Sequence, residues 1–72
     1  MSMLAPTIER LAETGVNIEL SKEAQLLAPT IEKIVAIAVS KGAHVTLDAS
    51  LMLAPSLEKL ALIGGKNLTI RF

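Results

Sequence analysis

The chain contains no cysteine, tryptophan or tyrosine; Phe72 is its one aromatic residue and His44 its one histidine. Without cysteine there can be no disulfide and no thiolate metal cage. A single imidazole argues against a multi-histidine metal centre. The near absence of aromatic rings removes the stacking platforms on which single-stranded nucleic acids are held. Charge of one sign is missing as well. Lys and Arg number 7 and Asp and Glu number 7, so there is no basic excess of the kind that marks nucleic-acid binders. Long apolar runs are also lacking. The most hydrophobic stretch, LLAPTIEKIVAIAV, is broken by Glu32 and Lys33 and falls short of the ~20 apolar residues that span a bilayer. The opening MSMLAPTIER has no basic segment ahead of an apolar one and does not read as a secretory signal. The expectation is a soluble, cytoplasmic protein with no cofactor, no nucleic-acid partner and no membrane partner.

What is present is aliphatic. Hydrophobic residues make up 51% of 72 positions, one small domain's worth. A chain this short buries only about 60% of its unfolded surface, so its core gains from any supplement.

The sequence also repeats itself. LAPTIER at 4–10, LAPTIEK at 27–33 and LAPSLEK at 53–59 place Pro6, Pro29 and Pro55 at spacings of 23 and 26 residues, within the range of repeat architectures. After each proline the apolar residues follow helical periodicity: Ile8, Leu11 and Ala12, then Ile31, Ile34 and Val35, then Leu57, Leu60 and Ala61. Such i, i+3, i+4 sets form one stripe on a helix, and proline is tolerated in a first turn. Each helical segment runs toward glycine, at Gly15, Gly42 and Gly64–Gly65. The period then changes to two. Val16, Ile18 and Leu20 alternate with Asn17 and Glu19; Val45, Leu47 and Ala49 with His44, Thr46 and Asp48; Leu68, Ile70 and Phe72 with Asn67, Thr69 and Arg71. Each reads as a strand buried on one face. The prediction is a single α/β domain, 1–72, of three helix–strand repeats near 4–20, 27–49 and 53–72. The αβαβαβ order implies a small parallel sheet with helices on one face, a solenoid-like stack with right-handed crossovers. Leu47, on the strand that is central in sequence, is expected near the middle of the core.

Short αβ units of this length, in the stretch VTLDASLML at 45–53, resemble leucine-rich repeats of the ribonuclease-inhibitor-like kind. Val45, Leu47 and Ser50 fall on that family's L-x-L-x-x-N spacing, with Ser50 where asparagine is preferred. The equivalent place after the first strand holds Glu23, and the last strand ends at Phe72 before reaching one. The resemblance implies a protein-binding scaffold and assigns a role to no single residue.

Motifs that carry chemistry are scarce. IGGKN at 63–67 has neither the spacing nor the strand-to-helix order of a phosphate loop and reads as a helix end and turn. His44 is the one candidate base near neutral pH. Asp48 lies four residues along, ~13 Å away on one strand, so these two form no dyad. No nucleophile elbow, carboxylate pair or metal-ligand cluster is present, and the chain is not expected to be an enzyme. Two surfaces remain. One is the polar strand face: Asn17, Glu19, His44, Thr46, Asp48, Asn67, Thr69 and Arg71. The other is apolar. Taking ~100° per residue, Leu62 lies about 150° from its helix stripe, Ile37 and Ile63 about 110°, and Val39 about 90° on the opposite flank. These aliphatics, with unprotected sheet edges, point to a non-enzymatic structural or interaction module. It is expected to self-associate, a two-fold dimer being the commonest form. The alternative is a small-ligand-binding or regulatory domain using the polar face.

Overall fold

The computed structural model describes residues 5–72; the start of the first unit, with Leu4, lies outside them. The elements alternate as the two periodicities require: α1 (Ala5–Glu13), β1 (Ile18–Leu20), α2 (Ala28–Ser40), β2 (Val45–Asp48), α3 (Ala54–Gly64) and β3 (Leu68–Arg71). Pro29 and Pro55 stand in the first turns of α2 and α3, where the missing amide breaks no helical bond. Short 3₁₀ turns, Ala49–Leu51 and Gly65–Asn67, lead out of β2 and into β3. Gly15 and Gly42 take φ values of +85° and +77° where the chain turns from helix to strand, a conformation glycine adopts without a Cβ penalty.

The strands form one sheet in the order β1-β2-β3, and both pairings are parallel. The register puts like positions in rows. Ile18, Val45 and Leu68 form one row, Glu19, Thr46 and Thr69 the next, and Leu20, Leu47 and Ile70 a third. Apolar rows face the helices, and Leu47, Val45, Ile31, Ile34, Val35 and Leu60 are fully buried. Leu47 is therefore central, flanked by Leu20 on one side and Ile70 on the other. No helix among the described residues is long and apolar enough to cross a membrane.

Two of the strand residues assigned to the buried face lie outside the core. Val16 is 47% exposed because β1 begins only at Ile18; Val16 belongs to the turn that Gly15 opens. Phe72 is fully exposed, one residue past the end of β3 at Arg71, where strand pairing no longer fixes which way the ring points. Met52, which no periodicity singled out, is buried behind the turn after β2.

Candidate functional site

The polar face is built by the strand alternation. Once Val45 and Leu47 point into the core, His44, Thr46 and Asp48 point the other way. Parallel pairing then brings Glu19, Thr46 and Thr69 abreast, with Asp48 opposite Arg71. The sequence-predicted residues are thus assembled on one surface, where most are tied to one another. His44 Nε2 lies 2.6 Å from Thr69 Oγ1, and the His44 amide donates to Asn17 Oδ1 at 2.8 Å. Asn67 Nδ2 donates to the Ala43 carbonyl at 3.0 Å. The Arg71 guanidinium reaches across β2 to Glu19, 2.9 Å from Oε2. Asp48 turns away toward its own chain: its Oδ1 accepts from the Ser50 amide at 2.9 Å and the Ser50 hydroxyl at 2.6 Å. Those two bonds, the hydroxyl's first, hold the Asp48 carboxyl below its ordinary value, with Lys22 and Arg71 adding a smaller attraction.

Chemically, this surface presents an imidazole–hydroxyl pair and a solvent-facing ion pair. His44 meets a hydroxyl rather than a carboxylate, so the acid that would orient a catalytic base is not at its side. Among the described residues, no group of His, Cys, Asp and Glu could hold a metal ion.

The helix layer carries a second pattern. Lys33 Nζ lies 3.4 Å from Glu9, and Lys59 Nζ lies 3.3 Å from Glu32. The acid of each motif thus pairs with the base of the next. These pairs also tell which flank of a helix faces which neighbour. Ile37, one turn after Lys33, lies on the flank toward α1. Val39, two turns after Glu32, lies toward α3, and Ile63, one turn after Lys59, lies toward α2. All three are part-buried against the core, so the crevices between helices take up much of the surface expected to be open. Leu62 differs. It follows Glu58 by one turn on the outer flank of α3 and is 88% exposed, on a helix that continues to Gly64.

Sequence reading missed one feature. Leu27 and Leu53, the leucines that open the second and third motifs, are the N-cap residues of α2 and α3 and stand 76% and 80% exposed. Their recurrence two positions before each proline was the available signal.

No family model matches the chain, and neither the curated proteins nor the solved structures give a match.

Proposed function

We propose that this protein is a non-enzymatic structural or protein-interaction module, a short solenoid-like stack that works by self-association in the cytoplasm. The observation that carries the reading is Leu62, a large aliphatic left 88% exposed on the outer flank of α3. Burying such a side chain contributes about 1.5–3 kcal/mol, a useful supplement for a small core that has no disulfide or metal. The likeness of its αβ units to leucine-rich repeats, a family of protein-binding scaffolds, points the same way. Light scattering at micromolar concentration tests the proposal. An oligomer is expected for the native chain, and Leu62→Glu should lower its mass while leaving the far-UV spectrum of the folded chain unchanged, with a lower melting temperature as association is lost. A monomer throughout the micromolar range overturns the reading.

A second reading, a small-ligand or regulatory domain, is favoured by the uncovered polar face with Glu19, His44, Thr69 and Arg71 at its centre. A ligand held there would stabilise the native state. A thermal-shift screen against small metabolites that shows a rise in the native chain, and none in Arg71→Ala, would establish it.

A further inference from the structure

We propose that copies of this chain associate end to end, with the α3–β3 side of one copy against the α1–β1 side of the next. Sheet and helix layer then continue across the junction as they do between the units inside one chain. The proposal rests on the self-association reading and gives it a geometry, heterologous rather than two-fold.

Burial at equivalent positions shows what the two ends lack. Five residues after the motif proline stand Leu11, Ile34 and Leu60. Ile34 and Leu60, each on a flank packed against the preceding helix, are fully buried, but Leu11, on the flank of α1 with no neighbouring helix among the described residues, is 43% exposed. One position later the pattern inverts. Ala12 and Val35, each on a flank packed against the following helix, are buried, whereas Ala61, on the flank of α3 with no neighbouring helix among the described residues, is exposed. One end therefore wants a preceding unit and the other a following one. A second copy supplies both at a single junction.

Charge follows the same rule. The ladder Glu9–Lys33, Glu32–Lys59 leaves the first base and the last acid over. Among the described residues neither Arg10 nor Glu58 has an ion-pair partner, Arg10 making only a 3.4 Å contact to the Thr7 hydroxyl. End-to-end docking brings Glu58 of one copy to Arg10 of the next, in the place that Glu32 and Lys59 occupy inside the chain. Leu62, one turn beyond Glu58, corresponds to Ala36 of α2, which is exposed, and so lies at the margin of this junction.

The sheet is complementary too. Asn17 and Asn67 occupy equivalent positions flanking His44, by the pairing of Ile18, Val45 and Leu68. Asn17 uses its oxygen toward the following unit, and Asn67 uses its nitrogen toward the preceding one. Each has the other half of its amide to give at a junction. The Ile18 amide donates to the His44 carbonyl at 3.0 Å. Successive amides along a strand turn to opposite sides, so the Glu19 amide points to the open edge of β1. A parallel β3–β1 pairing between copies would use that edge in the sense already present in β1–β2 and β2–β3. A two-fold axis would instead set Glu58 against Glu58 and turn the edge strands antiparallel, which repeats none of these internal contacts.

Charge reversal tests the geometry. Mass is measured by light scattering across the micromolar range for the native chain, Arg10→Glu, Glu58→Arg, an equimolar mixture of the two variants, Glu19→Pro and Glu19→Gln. Each reversal alone should weaken association about two- to tenfold, the scale of an exposed ion pair turned to repulsion. The mixture should restore it, because each altered end then meets its opposite. Glu19→Pro, which removes the outward amide, should leave a monomer with the native far-UV spectrum, whereas Glu19→Gln should still assemble; if the proline variant does not fold, the reversal pair decides. A native chain that stays monomeric overturns the self-association reading itself. A native oligomer that ignores Arg10→Glu, or variants whose mixture assembles no better than either alone, overturns the end-to-end geometry and leaves self-association standing.

Discussion

In the middle unit, Ile31, Ile34, Val35 and Ala38 of α2 are all buried, and so are Val45 and Leu47 of β2. In the outer units the same motif leaves Leu11 and Ala61 exposed and Ile18, Leu68 and Ile70 only half-buried. The difference does not lie in the residues, which are aliphatic at every one of these positions. It lies in the neighbours. The middle unit is covered on both flanks and each outer unit on one. Hydrophobic stabilisation follows area removed from water, so one motif contributes unequal amounts in its three copies.

The largest expected effect tests that inequality directly. Leu47→Ala and Ile34→Ala, both at fully buried positions, should each cost ~2–5 kcal/mol in chemical denaturation. Leu11→Ala, at the position equivalent to Ile34 but already partly wet, should cost about half as much or less. Equal midpoints for Ile34→Ala and Leu11→Ala would break the comparison, because coverage would then not be what separates the units.

A smaller effect should appear where the motif copies differ in backbone. Nine residues after the proline, α2 carries buried Ala38 and α3 carries Gly64. The link from proline to strand is shorter in the third unit, Pro55 to Leu68 against Pro29 to Val45, so β3 doubles back tightly against its own helix. A Cβ on Gly64 would come 2.6 Å from the Leu68 Cβ, an atom that cannot move without its backbone. Gly64→Ala gains about 1 kcal/mol in helix propensity and meets an overpacking cost of ~1–3 kcal/mol. The net expectation is a thermal midpoint lowered modestly. A raised midpoint would mean that β3 shifts more easily than its packing suggests.

Much of this arrangement could be read from residues alone, and the reasons for the misses are specific. Alternation located Ile18, Leu20, Val45 and Leu47 because parallel strands under one helix layer keep the period of two. It overran at Val16 and Phe72, since apolar alternation does not say where hydrogen-bonded pairing starts or stops. The polar face was legible as a set. Its internal bonding was not, because the reach of Arg71 over β2 to Glu19 and the meeting of His44 with Thr69 depend on a register that no single strand encodes. Angles on a helical wheel set Ile37, Val39 and Ile63 off their stripes correctly. They could not tell that neighbouring helices occupy those flanks, as the Glu9–Lys33 and Glu32–Lys59 pairs show.

Leu27 and Leu53 sharpen the comparison from another side, because there the middle and outer units should behave alike. Both are N-cap residues with no side-chain cap, and both stay exposed. Serine at either position would accept a bond from the first helical turn, and such caps are worth ~1 kcal/mol over an apolar residue. Leu27→Ser and Leu53→Ser are each expected to raise the midpoint by a similar small amount. A loss of stability in one of them alone would show that its leucine is packed after all.

The smallest effect concerns Asp48, at the end of the middle strand. Its carboxyl is held below its ordinary value by the Ser50 hydroxyl and amide, and the corresponding places in the outer strands, Ser21 and Arg71, carry no carboxyl. A carboxyl whose folded pKa is depressed contributes stability that is fully present above its unfolded pKa. The contribution is lost as pH falls from that value down through the folded one. At neutral pH the contribution should therefore be complete, and it should disappear only in acid. Ser50→Ala removes the larger of the two causes, leaving the amide bond and the attraction of Lys22 and Arg71. Following the Asp48 carboxyl by NMR should then show its midpoint moving up toward the ordinary carboxylate value. Acid unfolding of the variant should begin no later than in the native chain, and the gap in stability between the two should narrow as pH drops. A midpoint for Asp48 that does not move in Ser50→Ala would mean that the hydroxyl contact at 2.6 Å is not what holds the charge.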